Sequence, residues 1–280
     1  MSEIYRIDMG SPTLLEFRGP DAVRFLNGQV TQDVRRVVDA GICLPSCVTD
    51  AKGRLQFRVS LTEADGGLWI CGLAEWAESL EARLTRYLIA DDVEVANLTG
   101  KYRLMHFTGP MKDTPAGVIA RVSTRFGIAG TDWWIPISLI VGFPVGIKLL
   151  DSDGLEALRI ANGVPAWGNE LREGMLPPEA RLDETDISYH KGCYIGQEVI
   201  SRIKSAGKVN KRLVHLVFAP DVPIEVGKLV DADGGSIGEL TSVSPCLETE
   251  GRHALGYVKR GASDVFVMAV DGVRHAAQVI

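Results

Sequence analysis

Apolar and polar positions change period several times along the chain. Leu14-Leu15-Glu16-Phe17 is extended and apolar, and Gly19-Pro20-Asp21 then opens a helix through Ala22, Val23, Phe25 and Leu26, with Pro20 near the first turn, where a missing N–H costs nothing. Short strands are predicted at Cys43 to Val48 and Leu55 to Leu61, joined by the turn Asp50-Ala51-Lys52-Gly53, and at Leu68 to Cys71 after Gly66-Gly67. Trp76, Leu80, Leu84, Tyr87 and Leu88 recur at helical spacing as one apolar stripe with charges between. Further strands are predicted at Val93 to Leu98, Tyr102 to Phe107, Val118 to Val122 and Trp133 to Ile137, and a helix at Gly154 to Asn162, closed by Gly163 and Pro165. Helices and strands mix without the regular βα alternation of a parallel sheet, so this part reads as α+β.

From Leu213 the texture changes. Leu213 to Phe218, Ser236 to Ser242, Ala254 to Val258, Val265 to Val270 and Arg274 to Val279 alternate and are separated by Gly, Asp and Pro turns, the pattern of a small all-β barrel or sandwich. The stretch Lys204 to Val209 is the natural hinge, dividing the chain into an α+β region of residues 1–204 and a β-barrel domain of residues 205–280. Asp231-Ala232-Asp233-Gly234-Gly235 lacks the ligand spacing and final glutamate of a calcium loop and is predicted to be a hairpin turn.

Composition narrows the function classes. Thirty Lys+Arg against thirty-six Asp+Glu leaves a net charge of −6 over 280 residues, which argues against nucleic-acid binding by overall charge. The most apolar stretch, Trp133 to Leu150, is broken by Pro136, Gly142, Pro144 and Gly146, so it reads as strands and turns and no membrane span is expected. Neither a basic start nor an apolar run marks the first residues as a signal peptide. The five cysteines, Cys43, Cys47, Cys71, Cys193 and Cys246, have no framework spacing and read as reduced thiols of a cytoplasmic protein.

One segment concentrates candidate chemistry: His190-Lys191-Gly192-Cys193-Tyr194-Ile195-Gly196-Gln197-Glu198-Val199-Ile200-Ser201-Arg202. Gln197 to Ile203 has helical texture, which puts Cys193 in a turn just before a helix N-terminus. The partial positive charge there, with Lys191 two residues away, favours thiolate over thiol. Flanking glycines let another molecule approach the backbone. Such a thiol is a nucleophile, a redox centre or one ligand of a shared metal cluster; otherwise Cys193 is a small residue filling a tight turn. His190 has no second Cys/His cluster to complete a zinc site. Cys43 and Cys47 would share one face of a strand or of a helix and read as packing.

Lys191-Gly192-Cys193-Tyr194-Ile195-Gly196-Gln197-Glu198, followed by Arg202, resembles the signature of the YgfZ family of folate-binding proteins, which are related to the glycine-cleavage T-protein, an aminomethyltransferase. Phe25-Leu26-Asn27-Gly28-Gln29-Val30-Thr31-Gln32-Asp33 and Asp50-Ala51-Lys52-Gly53-Arg54 resemble N-terminal blocks of that family. Gly238-Glu239-Leu240-Thr241-Ser242, Ser244-Pro245 and Ala254-Leu255-Gly256-Tyr257-Val258 are similar to its C-terminal barrel. The resemblance implies a T-protein-like ring of three subdomains, two of them α+β, with the all-β barrel at the C-terminus and folate at the centre. It also implies a role in maintaining iron–sulfur enzymes through Cys193, with an A-type cluster carrier or a cluster-containing client as partner and a 2Fe-2S cluster shared through the thiol.

The same resemblance separates two functions. T-proteins carry an adjacent pair of aspartates shortly after a glycine in an early strand; the equivalent Gly53-Arg54-Leu55-Gln56-Phe57-Arg58-Val59 has no acid, and Asp50 precedes the glycine. A tetrahydrofolate-binding accessory protein is therefore favoured over a tetrahydrofolate-dependent aminomethyl or one-carbon transferase, whose proton handling needs a placed carboxylate. Leu176-Pro177-Pro178-Glu179-Ala180 resembles the T-protein segment whose glutamate accepts the pterin edge, which makes Glu179 the candidate folate residue; its alternative is a surface glutamate in a Pro-rich loop. Lys191 and Arg202 are candidates for the glutamate tail of folate or an acidic partner, or else are solvated cations. Gln197 and Glu198 suit a first helical turn, and Tyr194, Trp167 and Trp133 are candidates for stacking on a flat ring or for the core.

Overall fold

The computed structural model describes residues 3–207, 209–247, 251–262, 265–268 and 273–280. The chain forms two units that interleave in sequence: residues 1–150 with 184–199, and residues 151–183 with 200–280. The partition expected at 204/205 and this one cut the chain differently.

The first unit contains β1 (Tyr5–Asp8), β2 (Thr13–Arg18), α1 (Ala22–Gln29), β3 (Ile42–Thr49), β4 (Leu55–Ala64), β5 (Gly67–Gly72), α2 (Ala77–Thr85), β6 (Glu94–Asn97), β7 (Tyr102–Phe107), β8 (Ile119–Ser123), β9 (Gly130–Pro136) and β10 (Lys148–Leu149). They form one ten-stranded sheet in the order β10-β1-β7-β9-β8-β3-β4-β5-β2-β6. Strand β3 joins its halves: Ile42 and Cys43 pair parallel with β8, and Leu44 to Thr49 pair antiparallel with β4. Strands β7 and β9 are buried on both faces, and the two-residue period shows it. Leu104 and Trp134 join Leu14, Trp69 and Cys71 on one side, while Met105, Phe107, Trp133 and Ile135 face the covering segment that carries Leu139, Val141, Phe143 and Ile147. Burying a Trp such as Trp69, Trp133 or Trp134 stabilises the fold by roughly 4–6 kcal/mol at the usual area coefficient. Among the described residues no helix is long and apolar enough to cross a membrane.

In the second unit α3 (Ser152–Ala161) is capped by the Asp151 carboxylate, which accepts from the Gly154 N–H at 2.8 Å. Helix α4 (Gln197–Ala206) leads to β11 (Lys211–Phe218), β12 (Gly227–Val230), β13 (Ser236–Val243), β14 (Arg252–Lys259), β15 (Phe266–Met268), β16 (Arg274–Ala276) and β17 (Gln278–Val279). Their order is β16-β15-β12-β13-β14-β11-β17. Its two end strands are one continuous segment: β16 pairs with β15, and β17, one residue on, pairs with β11. The sheet thus closes into the expected barrel, around Leu216, Phe218, Leu229, Leu240 and Val258. The predicted hairpin turn is present, with the Asp231 Oδ1 accepting from the Asp233 and Gly235 N–H groups.

Several expectations need correction. The apolar stripe from Trp76 to Leu88 is helical only over Ala77–Thr85; Trp76 closes a preceding 3-10 turn, and Tyr87 lies past the helix and is exposed. Residues 204–206 continue α4 and are no hinge, and Lys208 lies outside the described residues. The strand expected from Val265 to Val270 is described as Phe266–Met268, with 269–270 outside the described residues. Arg274 to Val279 is split at Ala277, whose N–H turns to the Val265 carbonyl. Short β1, β10 and β12 escaped notice because two to four residues carry too little alternation.

Two histidines give the barrel a pH dependence. His215 Nε2 and His253 Nδ1 lie 2.8 Å apart and both side chains are buried. Burial, then His253 and Arg181, lowers His215 to about 4, below the ~6.5 of an unfolded imidazole. The unfolded chain therefore binds more protons between those values. Stability from this residue is level above pH 6.5 and falls as the pH goes down to about 4, by up to roughly 3 kcal/mol. Urea midpoints followed from pH 7.5 to 4 are expected to drop less steeply in His215→Gln than in the wild type; equal slopes would remove the histidine pair as the cause.

Candidate functional site

The segment carrying Cys193 has almost no secondary structure of its own and is held by the first unit's turns. Residues 184–196 run beside residues 28–32, with the Ser188 N–H donating to the Thr31 carbonyl at 3.0 Å and the Ile195 N–H to the Gly28 carbonyl at 3.1 Å. At its start, Asp186 is wholly buried and receives Arg58 Nε at 2.7 Å and Nη2 at 3.3 Å, while the Thr31 hydroxyl donates to the Asp186 carbonyl at 2.7 Å. Gln32 Nε2 donates to the Thr185 carbonyl at 3.0 Å. At its end, the Thr49 hydroxyl donates to the Ile195 carbonyl at 2.6 Å.

Lys191 is the centre of this attachment. Its Nζ donates to the Val30 carbonyl at 2.8 Å and the Gln32 carbonyl at 2.7 Å, and it lies 5.2 Å from the centroid of the Tyr194 ring. Burial pushes its pKa down to about 7 against the pull of Asp33. Of the alternatives expected for it, the solvated cation is corrected: the side chain is buried and its ammonium donates to two main-chain carbonyls. Nor is Tyr194 a free stacking platform. Its ring is buried under Lys191, and the surrounding apolar atoms raise the phenol well above its ordinary range.

The two motif glycines do different jobs. Gly196 has φ +88°, and a Cβ there would lie 2.5 Å from the Asp50 carbonyl oxygen, 2.8 Å from Gly53 Cα and 2.9 Å from Thr49 Oγ1. Its missing side chain is filled by the chain's own turn, which Asp50 tightens by accepting from the Lys52 and Arg54 N–H groups. Gly192 is different: a Cβ there would meet nothing within 4 Å, so only this side of the motif has the open approach expected of both. Cys193 lies between them as an exposed free thiol. Gln197 and Glu198 form the first turn of α4, where the Glu198 charge suits the helix dipole.

Cys246 is exposed, while Cys43 and Cys47 are core residues as predicted. Both are buried on one face of β3, and burial raises their thiols far above the usual range. Cys71 is buried likewise and is raised to about 11. Trp133 belongs to the core. Among the described residues no cluster of three or more His, Cys, Asp or Glu could hold a metal ion.

Glu179 and Arg202 belong to the second unit. Glu179 lies in a 3-10 turn, Pro177–Ala180, not in an irregular loop, and is half-buried. Its Oε2 accepts one long bond, 3.4 Å, from the Leu176 N–H. An ionised carboxylate has about four acceptor positions, so this one retains the capacity to take the paired N–H donors of a pterin edge. Its charge reaches Tyr257, whose phenol is raised by burial first and then by Glu170 and Glu179. Sequence reasoning missed Glu170, which is buried and accepts from Arg159 Nη1 at 3.0 Å, the Ala166 N–H at 2.9 Å and the hydroxyls of Thr241 and Ser242 at 2.8 and 2.5 Å. The Tyr257 hydroxyl donates to the Glu170 carbonyl at 2.8 Å. Only the polar Thr241-Ser242 pair in an otherwise alternating strand hinted at it.

Removing the attachment should be costly. Lys191→Met strands two buried carbonyls and is expected to lower stability by about 1–3 kcal/mol; Gly196→Ala adds a steric clash and backbone strain of similar size. Urea unfolding with hydrogen exchange of the 191–196 amides checks both, and wild-type protection in either variant would contradict the assignment.

With this geometry in place, the comparisons with known proteins acquire meaning. No family model matches the chain. It is 24% identical to a chloroplast protein of Arabidopsis thaliana named as a transferase, across 92% of this chain and 66% of that one. It is 26% identical to the iron-sulfur cluster assembly factor IBA57 homolog of Neurospora crassa mitochondria, across 86% of this chain and 58% of that one. The tRNA-modifying protein YgfZ of Serratia proteamaculans is 26% identical across 77% of this chain and 74% of its own. The chain thus spans less than two thirds of the length of the first two of these relatives. Among solved structures, the glycine cleavage system aminomethyltransferase T of Bartonella henselae superposes with a TM-score of 0.82 over 99% of this chain and 85% of that one, at 19% identity. The chain therefore has the T-protein fold and is related in sequence, over most of its length, to the proteins named YgfZ and IBA57.

Proposed function

We propose that this protein is a tetrahydrofolate-binding accessory factor that supports iron–sulfur cluster assembly or repair through the Cys193 thiol. The observation that carries the reading is the presentation of Cys193: an exposed free thiol on a segment pinned from behind by Lys191, Asp186 and Gly196. An exposed thiol on a fixed segment can serve as one ligand of a cluster whose other ligands come from a partner. The relatives named as cluster assembly factors support the same reading, and the buried or solvent-facing reduced thiols suit a reducing compartment such as the cytoplasm. Glu179 is the residue proposed to hold the pterin, and bound folate would supply a reduced one-carbon carrier.

The transferase alternative draws on the fold and on one relative's name. Against it stands the place where the acid pair is missing. There Gln56 accepts from Arg83 Nε at 2.6 Å, and Arg58 is tied to Asp186. Asp186 itself is buried and bonded, so it is no mobile general base.

Deletion of the gene followed by assay of an iron–sulfur enzyme under oxidative stress is the decisive test. Wild type is expected to restore activity and Cys193→Ala to fail. Equal rescue by both would remove the Cys193 thiol from the function, and an unaffected enzyme in the deletion strain would bring one-carbon chemistry forward. In calorimetry, Glu179→Gln is expected to weaken tetrahydrofolate binding about tenfold or more, the range for a charged hydrogen bond; unchanged affinity would discard Glu179.

A further inference from the structure

The most apolar stretch of the sequence, from Trp133 to Leu150, has an outer surface that the core of the first unit does not use. No charged residue stands between Asp132 and Lys148. Strand β9 ends inside this stretch, and the covering segment that follows lies over Met105, Phe107, Trp133 and Ile135. Leu139, Val141, Phe143 and Ile147 face that cluster. The residues between them face the other way. Ile140, between two inward-facing neighbours, is 99% exposed. Val145 is wholly exposed in the turn that the Ile147 N–H closes on the Pro144 carbonyl, and Pro144 is exposed beside it.

Strand β10 adds to the same side. Arg6 and Leu149 are register partners where β1 pairs parallel with β10, so their side chains leave the sheet on one face. The Arg6 guanidinium lies 4.5 Å from the centroid of the Phe143 ring, and its Nη1 donates to the Ile147 carbonyl at 3.2 Å. That face is therefore the covered one, and Leu149, 55% exposed, borders the covering segment. At the other end Ile137, 67% exposed, sits in the turn that the Leu139 N–H closes on the Pro136 carbonyl. At on the order of 100 Å² of apolar surface per aliphatic side chain, these residues leave about 400 Å² open.

Size and charge both bear on what covers this surface. Single exposed apolar residues are ordinary, but a patch of this size is commonly functional. A standard interface takes about 800 Å² from each partner, a little over half of it apolar, so the patch supplies the apolar share of one side. Bordering charges are balanced within the chain: Arg103 pairs with Asp8, and Lys148 with Glu3 at 2.9 Å. Lys148 also leaves β10 on the face opposite to Leu149. A bilayer-binding segment sets its apolar groups among clustered Lys and Arg that meet anionic headgroups. Here Lys101 stands beside Ile137, and the next two cations are paired with carboxylates. An uncharged apolar surface is its own complement, because a two-fold axis sets it on an identical patch with no like charges opposed.

We infer that the outer surface of residues 137–149 is a self-association face, on which a second copy of this chain packs across a two-fold axis. Ile140 and Val145 form its centre, with Ile137, Pro144 and Leu149 around them. The face owes nothing to Cys193 and stands whichever way the thiol is read. Because apolar burial supplies the attraction, sodium chloride does not weaken it and sulfate strengthens it.

Sedimentation equilibrium of the full chain tests the face, with dithiothreitol present so that Cys193 and Cys246 form no disulfide. A monomer–dimer equilibrium with Kd in the micromolar range is expected, the weak end for a standard interface. It should persist in Cys193→Ala and tighten in sodium sulfate. Ile140→Asp/Val145→Asp brings two unpaired carboxylates into the interface and is expected to raise Kd about 100-fold or more. Val226→Asp, at an exposed valine of the other unit, should leave Kd unchanged. Urea midpoints of the double variant below its Kd should match the wild type, since both side chains are exposed in the single chain. Should the double variant fail to fold, Ile140→Cys in a Cys193→Ser/Cys246→Ser background gives a second measure. A bismaleimide is expected to link two such copies and not two copies carrying Val226→Cys; absence of the link overturns the face. A wild type that stays monomeric at about 100 µM overturns it, as does a dimer that survives the double substitution or that salt dissolves. Binding to phosphatidylcholine–phosphatidylserine vesicles that the double variant loses, with no dimer in solution, would assign the surface to a lipid and overturn the second copy.

Discussion

An irregular segment can present a reactive side chain only if the rest of the fold removes its freedom, and here buried polar contacts remove it. Residues 184–196 have little regular structure, so nearly all their order comes from the hydrogen bonds they make to 28–32 and 49–54. Fixing a residue's backbone costs about 1–2 kcal/mol, and a typical hydrogen bond returns about 1 kcal/mol net. The balance is tipped by groups for which detachment is expensive. Asp186 and Lys191 are both buried, and a buried charge torn from its partner costs several kcal/mol. The pair brackets the run up to Cys193, so the thiol's position follows from where two charges must be.

This explains why three distant stretches of sequence behave as one structural object. Val30 and Gln32 contribute carbonyls to Lys191, and Thr31 holds Asp186 through its hydroxyl while offering its own carbonyl to Ser188. Thr49 and the Asp50–Gly53 turn receive Ile195 and the bare α-carbon of Gly196. A side chain at Gly196 would have to occupy the space of the Asp50 carbonyl. The turn and the glycine therefore constrain each other, and neither sequence block specifies the site alone.

How much of this could be read from the sequence depended on whether the signal was periodic. Elements such as β7, where Tyr102 to Phe107 alternates, and α3, with Asp151 before it and Gly163 after, carry local patterns and were found to within a residue or two. Cys193 as an exposed thiol ahead of a helix and Cys43 and Cys47 as core were legible for the same reason. The role of Lys191 was not. A lysine two residues from a cysteine reads as a surface cation, because nothing local reveals that carbonyls 159 and 161 residues away will enclose it. Glu170 and the Arg58–Asp186 pair escaped likewise, since long-range pairing of buried charges leaves no period in the chain. The Tyr87 position failed in the opposite direction: helical spacing extended past Thr85, but the helix did not.

The same considerations bear on how a fold shared with an aminomethyltransferase can serve a different task. A transfer enzyme needs a carboxylate near the reacting nitrogen with freedom to exchange a proton. On β4 of this chain Gln56 and Arg58 are both engaged: Gln56 orients Arg83, and Arg58 neutralises Asp186. Here the strand carries groups that hold the Cys193 segment and Arg83 in place. An acid at position 56 would set a carboxylate beside Arg83 in place of the neutral amide that now accepts from it. At 58 it would place a second carboxylate against buried Asp186, a repulsion that a dry interior does not tolerate. On the reading proposed for Cys193, β4 serves the segment that carries it, because Arg58 neutralises Asp186 and Gln56 orients Arg83 against the Thr49 carbonyl.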